Sequence, residues 1–427
     1  MFDLDLHKYE NQEIDDIAFL FLEKPTTSLC LIERDWADVL EKIHKNTFRI
    51  DYGEIYRSLG PKGLQDYITD YIHANNIKVI YVQSVFNTEF DVHYLEQLRE
   101  HCFLFTYFGD VIEYFNEKFL YIAQAFDLVL VDNYYEKYEF ILYGIETLYA
   151  LPCCDPEVYD GELEEDKNTD VSFVGRLDRL GRKEYLHFLG ANGVNVEVAG
   201  TGSERGPLNS EEMIRLYKRS KINLNFSGIQ EFSRKKIYKK LTRMKGVRCV
   251  EIALSGSFLL SEYTPGLEKL FKIGEEIDVF HDEEELLEKI QLYLHNDILR
   301  EGIADRGYQR ALADYDSRKT WKKLLQFISY KAAHKNYRPS PIYLDDEYLK
   351  MVSTQRAVSA LNFLRQRQFR LAWEEIMLIV HSKKIAVIGT LWAMFREVFR
   401  PIVNSSPVLK RTVAKIRSFR AAPILRR

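Results

Sequence analysis

Short apolar runs alternate with stretches of helical spacing along the chain as far as Tyr330. Such runs are typical of strands buried on both faces of a sheet, and the stretches between them fit amphipathic helices. Strand–helix alternation predicts an α/β fold in which parallel sheets carry helices on both faces. The predicted strands are Ile77–Val82, Cys102–Phe108, Leu128–Asp132, Val171–Gly175, Val194–Gly200, Lys221–Ser227 and Gly256–Glu262.

A polar, acidic stretch after Pro156 divides this alternation into two series. We therefore predict a Rossmann-like domain over residues 1–156, a linker over 157–170 and a second Rossmann-like domain over 171–330. Open α/β sheets bind ligands beyond the carboxyl ends of their strands, so two such domains would hold a ligand in the cleft between them. Residues 331–427 show helical patterns without a clear strand, and we predict that they form a helical extension.

The charge of the chain is unevenly distributed. The whole sequence has a net charge of −5, but His381–Arg427 contains eleven Lys or Arg and one acidic residue, a net charge of +10. From Ile385 onward, apolar residues recur in this tail at helical spacing. An apolar stripe flanked by basic residues suits a helix lying on an anionic membrane, and residues 383–427 are predicted either to do this or to dock on a protein surface. A basic tail on an acidic body does not indicate nucleic-acid binding.

The five cysteines and ten histidines lack metal-ligand spacing, and the odd cysteine count argues against a disulfide framework. The first residues do not follow a signal-peptide pattern, and no apolar run reaches the roughly 20 residues that cross a bilayer. We expect a cytoplasmic protein, held by its tail at the inner face of the membrane if the tail binds lipid. No metal and no cofactor are expected.

Basic residues cluster in the turn after the predicted strand Val171–Gly175, where Arg179, Arg182 and Lys183 precede or begin a helix. Free N–H groups at a helix start bind phosphate, and cationic side chains add charge-assisted hydrogen bonds to a diphosphate. A solvated basic helix start is the alternative. The glycine turn that contains Gly202 follows the next strand. Its spacing differs from a dinucleotide fingerprint, but it would let the backbone approach a ligand closely.

The segment RMKGVRCVEIALSG places Arg243, Lys245 and Arg248 around the start of a helix that contains Glu251. Cations at a helix start suit a diphosphate, and a carboxylate one turn further suits two vicinal hydroxyls because it accepts two hydrogen bonds. An ordinary amphipathic helix with an exposed Glu fits the same pattern. In the first domain, Asp110 follows a predicted strand and is the candidate catalytic carboxylate on the acceptor side, although such a residue often only caps the next helix.

The region from Val171 to Phe327 resembles the CgeB-like branch of the group 1 glycosyltransferases. Several motifs occur in the order found there: VSFVGRLDRLGRKEYLHFL, SKINLNF, an Arg-x-x-Glu helix, SEY, LFKIGEEI and IADRGYQR. The resemblance implies the GT-B architecture, with the donor nucleotide on the second domain and the acceptor on the first. It also implies that Glu251 binds the donor ribose, that Arg182 and Lys183 hold the diphosphate, and that Glu262 in SEY belongs to the donor site.

One position departs from the family pattern. A related E-x7-E motif would place a Glu eight residues before Glu251, where this chain has Arg243. The resemblance implies a retaining hexosyltransferase, but it does not identify the sugar. The predicted activity is metal-independent transfer from a nucleoside diphosphate sugar to a hydroxyl of a glycan, lipid-linked or protein acceptor. The alternatives are a GT-B-fold nucleotide-sugar epimerase and a non-catalytic nucleotide-sugar-binding scaffold.

Overall fold

Two parallel β-sheets with helices on their faces form the protein, which confirms the predicted α/β class. The computed structural model describes residues 6–14, 16–24, 31–83, 89–109, 111, 115–150, 154–159, 166–179, 181–228 and 247–382. None of the helices within these ranges is long and apolar enough to cross a membrane.

The first sheet has six parallel strands in the order β2-β1-β3-β4-β5-β6. Successive side chains of a strand point to opposite faces, so Phe19 and Phe21 enter one hydrophobic core while Leu20 and Leu22 enter another. The strands are β1 Phe19–Glu23, β2 Thr47–Asp51, β3 Val79–Val82, β4 Phe103–Phe108, β5 Leu128–Val131 and β6 Thr147–Tyr149. The helices are α1 Leu31–Ile43, α2 Tyr52–Ala74, α3 Val92–His101, α4 Leu120–Ala123 and α5 Lys137–Leu142, with a π-helical turn at Phe115–Phe119.

The second sheet has five parallel strands in the order β11-β10-β9-β7-β8. The chain passes from β7 to β8 on one side and then returns to the other side of β7 as β9. This reversal creates a topological switch point between β7 and β9, where open α/β sheets bind ligands. The strands are β7 Thr169–Val174, β8 Val196–Ala199, β9 Ser220–Asn225, β10 Leu259–Glu262 and β11 Asp278–Phe280. The helices are α6 Pro156–Tyr159, α7 Arg182–Ala191, α8 Ser210–Arg219, α9 Arg248–Leu254, α10 Glu283–His295 and α11 Asp297–Asp314.

Three further helices, α12 Ser317–Ala333, α13 Asp346–Arg365 and α14 Phe369–Ser382, return to the first sheet. On α12, Trp321 packs edge-on against Trp36 of α1, with ring centroids 5.4 Å apart. On the opposite face of the sheet, Tyr348 of α13 and Leu371 of α14 join the core that contains Leu20. The described helices after residue 316 therefore complete the first domain, although the sequence placed α12 at the end of the second.

Candidate functional site

Two arginine side chains converge at the carboxyl end of β7, beside the switch point of the second sheet. Gly175 follows β7 directly. A Cβ atom at Gly175 would lie 3.0 Å from Nη1 of Arg182 and 3.1 Å from Nη1 of Arg248. Arg182 is the first residue of α7 and Arg248 the first of α9, so two helix starts direct guanidinium groups to one point. A glycine at position 175 leaves room for this approach.

Backbone carbonyls hold Arg182 in place. Its Nη1 donates to the carbonyl oxygen of Arg176 at 2.9 Å, and its Nη2 donates to that of Phe226 at 3.0 Å. The guanidinium carbon also lies 5.5 Å from the centroid of the Phe173 ring. Within the described part of the chain, no carboxylate lies within ion-pairing distance of Arg182, and its buried Nε has no hydrogen-bond partner. Arg182 is therefore fixed in position without a counter-charge in direct contact.

The electrostatics of Arg182 reflect this arrangement. Burial, together with the like charges of Arg248 and Arg179, lowers the pKa of Arg182 to about 10, while Glu262 and Asp178 act in the opposite direction. The group stays protonated at neutral pH, so two like charges, Arg182 and Arg248, lie close together at the carboxyl end of β7. Charge-assisted hydrogen bonds to an anion such as a diphosphate would relieve the repulsion between them.

Glu251 lies one turn after Arg248 in α9, and its side chain is only 8% exposed. Its Oε1 accepts a hydrogen bond from the Tyr159 hydroxyl at 3.1 Å, and its Oε2 lies 3.9 Å from Nε of Arg248. Burial raises the pKa of the Glu251 carboxyl, and Arg248 and the Tyr159 hydrogen bond lower it. Glu251 is thus a buried hydrogen-bond acceptor beside the cationic cluster of Arg182 and Arg248. The sequence alone also allowed an ordinary amphipathic helix with an exposed Glu at this position, and the burial of Glu251 argues against that alternative.

Glu262 ends β10 and is buried beside the same cluster. Its Oε2 accepts hydrogen bonds from the backbone N–H and the hydroxyl of Ser227, both at 2.9 Å. The Tyr185 hydroxyl lies 3.5 Å from Oε1. These contacts tie the end of β10 to the segment that follows β9. A direct contact of Glu262 with a donor remains a prediction.

The other predicted site residues occupy different surroundings. Arg179 is part-buried in the loop between β7 and α7, whereas Lys183 is exposed on α7. Gly202 is exposed in the turn after β8 with φ +91°, and the carbonyl of Thr201 in that turn accepts from the backbone N–H of Leu177. The turn therefore borders the loop of Arg179. Three predicted residues lie outside the described ranges, and their roles remain predictions: Asp110, Arg243 and Lys245.

Two parts of the site were missed in the sequence. Tyr159 lies in the segment predicted to be a linker, and no local pattern distinguishes it from the other tyrosines of this Tyr-rich chain. Gly175 ends a predicted strand, but the sequence does not indicate that two arginines meet beside it. The position of Gly175, directly after an apolar strand and before a basic helix start, could have indicated this role.

Other features of the described residues do not add to this site. A groove of about 820 Å³ includes none of the predicted site residues and is lined by Gln12, Glu13, Ile14, Asp16, Ile43, Arg318, Lys319, Lys322 and Gln326. Across the ranges that the structure describes, no three His, Cys, Asp or Glu side chains are grouped so that they could hold a metal ion.

The sequence of the second domain matches a known family. Residues 179–326 match the family model described as glycosyl transferase-like. This range includes the predicted donor-binding residues, among them Arg182, Arg248 and Glu251. Among curated proteins, none matches this sequence.

Solved structures share the two-sheet fold. Sucrose-phosphate synthase from Thermosynechococcus elongatus is 11% identical, with a TM-score of 0.52 over 74% of this chain and 99% of that one. The HepE protein of Anabaena in complex with UDP is 14% identical, with a TM-score of 0.53 over 74% of this chain and 100% of its own. A glycosyltransferase from Rickettsia africae is 10% identical, with a TM-score of 0.51 over 75% and 99%. These similarities confirm the predicted GT-B fold, within which residues 179–326 are similar to the glycosyl transferase-like family.

Proposed function

We propose that this protein transfers a sugar from a nucleoside diphosphate sugar to a hydroxyl group of an acceptor bound between the two sheets. The observation that carries the proposal is the convergence of Arg182 and Arg248 over Gly175 at the switch point of the second sheet. Two cations held together without a contacting counter-charge on Arg182 suit a ligand with two adjacent phosphates. The family match of residues 179–326 supports the same reaction class.

In this proposal, the protein stabilises the diphosphate as it leaves the sugar. The guanidinium groups are already in position, so little reorganisation is needed when negative charge develops on the leaving oxygen. We propose that Arg182, Arg248 and the start of α7 perform this role without a metal ion, with Lys183 and Arg179 adding positive charge nearby. The acceptor hydroxyl would approach from the first domain, where Asp110 is the proposed catalytic carboxylate.

The proposed donor contains a ribose, and Glu251 is the residue proposed to bind its hydroxyls. Glu251 is a buried carboxylate beside Arg248, so a hydroxyl donating to it would form a charge-assisted hydrogen bond. HepE, one of the proteins with the same fold, has been solved with UDP and with UDP-glucose. UDP is therefore the first nucleotide to test. We also propose the finer assignments that the resemblance implies: the CgeB-like branch, a hexosyl donor and a retaining reaction.

Calorimetric titration with UDP tests the donor site. Wild-type protein should bind UDP, and Arg182→Ala should weaken UDP binding by at least about tenfold while scarcely changing uridine binding, because a charge-assisted hydrogen bond contributes roughly 1.5–3 kcal/mol. Arg215→Ala on the exposed face of α8 removes an arginine that pairs with Glu211 away from the site and should bind UDP as wild type does. Equal UDP affinity for Arg182→Ala and wild type would place the diphosphate elsewhere.

Turnover distinguishes transfer from the two alternatives. A transferase should release UDP from UDP-glucose faster when a glycan, lipid-linked or protein acceptor is present, and a metal chelator should not abolish the release. Conversion of the sugar without any acceptor would indicate an epimerase instead. Binding without turnover for every acceptor class would favour a scaffold.

We propose that residues 383–427 attach the protein to the inner, anionic face of a membrane. The support is the sequence alone: a net charge of +10 from His381 onward and an apolar stripe that begins at Ile385. A protein truncated after Ser382, where α14 ends, should stay folded and lose sedimentation with anionic liposomes. Full-length protein that ignores such liposomes at low salt would contradict the proposal, because screening is then weak.

A further inference from the structure

Tyr159 connects the candidate donor site to the place where the chain crosses between the two sheets. It ends α6, a four-residue helix that directly follows the first crossover, and its side chain is fully buried. Its hydroxyl donates to Oε1 of Glu251 at 3.1 Å. The hydroxyl of a residue outside the matched range 179–326 thus holds the carboxylate proposed to bind ribose.

The helix that carries Tyr159 is fixed at both crossovers. Cys154 and Asp316 form an isolated parallel bridge, so the chain entering the second domain lies beside the chain leaving it. The Asp155 carboxylate accepts from the backbone N–H of Glu157 at 3.1 Å, and Glu157 pairs with Arg318 of α12 at 2.6 Å. Tyr159 is therefore presented to Glu251 by a backbone that is tied down, and not by a free loop.

We propose that Tyr159 is a positioning residue of the donor site: it fixes Oε1 of Glu251 so that Oε2 accepts from the ribose of the donor. This inference rests on the proposed function. Among the described residues, the Tyr159 hydroxyl lies within hydrogen-bond distance of this carboxylate, whereas Nε of Arg248 lies 3.9 Å from Oε2, beyond that distance.

The same hydrogen bond also favours the ionised form of Glu251. Burial raises the pKa of this carboxyl, and Arg248 and the Tyr159 hydroxyl lower it. Tyr217, from α8, is buried beside Arg248, and burial raises the pKa of its hydroxyl, so Tyr217 stays neutral. Removal of the Tyr159 hydroxyl should therefore raise the pKa of Glu251 further. Because a ribose hydroxyl donates best to the ionised carboxylate, donor binding should then require a higher pH.

The test is calorimetric titration of UDP into the full-length chain at a series of pH values from acidic to alkaline, over which the protein stays folded. Tyr159→Phe should weaken UDP binding by about tenfold at the acidic end and less at the alkaline end, with the midpoint of the profile moved to higher pH. In a Glu251→Gln background, adding Tyr159→Phe should leave the profile unchanged, because the titrating group is gone.

Tyr293→Phe is the matched control. The Tyr293 hydroxyl also donates to a buried carboxylate, Oδ2 of Asp278, at 2.6 Å. Asp278 begins the edge strand β11, whereas the site lies at the carboxyl ends of the strands. Tyr293→Phe should lower the thermal midpoint and leave the pH profile of UDP binding as in wild type.

The outcomes separate this inference from the proposed function. If wild type binds UDP and Tyr159→Phe has the wild-type midpoint, the positioning role is overturned and the donor site stands. If Tyr293→Phe moves the profile as far as Tyr159→Phe does, the effect is a general loss of stability, and the inference is again overturned. If wild type binds no UDP, GDP or ADP at any pH, the proposed function fails and the inference fails with it.

Discussion

Replacing Glu251 by Gln should weaken donor binding and stabilise the ligand-free protein at the same time. The two effects have one cause, because Glu251 is a buried carboxyl whose pKa is raised by burial. Gln keeps the shape and can accept the Tyr159 hydrogen bond through its carbonyl oxygen. It does not carry the charge that a ribose hydroxyl would bind.

The sign of the stability effect follows from the raised pKa. Between the ordinary pKa of a Glu and the raised pKa of Glu251, the folded state binds more protons than the unfolded state. Stability is therefore lost as the pH rises through this window. Each unit by which the folded pKa exceeds the unfolded one costs about 1.4 kcal/mol above it. Glu251→Gln should remove this cost and raise the thermal midpoint at about pH 8 more than at about pH 5.

The binding effect has the opposite sign. A hydrogen bond to a charged group contributes about 1.5–3 kcal/mol, and about 1.4 kcal/mol changes a dissociation constant tenfold. Glu251→Gln should therefore bind UDP at least roughly tenfold more weakly. Thermal unfolding at both pH values and calorimetry on the same preparations measure the two effects together. Wild-type UDP affinity in a folded Glu251→Gln protein would refute the donor role, and an equal change in thermal midpoint at both pH values would refute the argument from ionisation.

Two further substitutions test the site and the first domain separately. Gly175→Ala places a methyl group 2.6 Å from Cζ of the buried Phe173 ring and within 3.1 Å of Nη1 of both Arg182 and Arg248. It should destabilise the protein by about 1–3 kcal/mol in urea unfolding and weaken UDP binding. Unchanged UDP affinity would contradict the proposed cationic cluster. Glu375→Ala removes the buried carboxylate that Arg356 and the Tyr56 hydroxyl share. It should lower the free energy of unfolding by about 3–5 kcal/mol without affecting UDP binding per folded molecule. A decrease below about 1 kcal/mol would show that the packing of α14 depends little on this contact.

The sequence predicts the strands of both sheets where they are buried on both faces. β3, β4, β5, β7, β9 and β10 all lie within predicted apolar runs or overlap them closely. β8 was also predicted, from the apolar side chains of VNVEVAG, although it is an edge strand with one buried residue in four. β2 is an edge strand with one buried residue in five, so TFRID contains no apolar run. β6 and β11 are edge strands of three residues, too short for a periodic signal. β1, with the sequence FLFLE, does carry the signal and could have been predicted.

The site was predictable where chemistry follows a strand and begins a helix, and unpredictable where it depends on contacts distant in sequence. Arg182 and Arg248 lie 66 positions apart, but each begins a helix that follows a strand of the same parallel sheet. Both helix starts therefore lie at the carboxyl end of that sheet. Tyr159 reaches Glu251 only because the crossover places α6 against α9. The packing of α12 on the first sheet likewise depends on Trp321 meeting Trp36, which no local pattern indicates.

Charge pairing elsewhere in the described structure strengthens the case for an anionic ligand. Other arginines with little exposure have carboxylate partners: Arg300 pairs with Asp297 at 2.7 Å, and Arg356 pairs with Glu375 at 3.0 Å. Within the described ranges, Arg182 instead donates to two carbonyl oxygens and lies near a second guanidinium. Like charges held close together in a part-buried position cost stability unless a counter-charge joins them. Glu251 and Glu262 lie near the cluster, but among the described residues neither forms an ion pair with Arg182. A ligand that supplies the negative charge best explains this arrangement. A diphosphate at the carboxyl end of β7 fulfils that requirement.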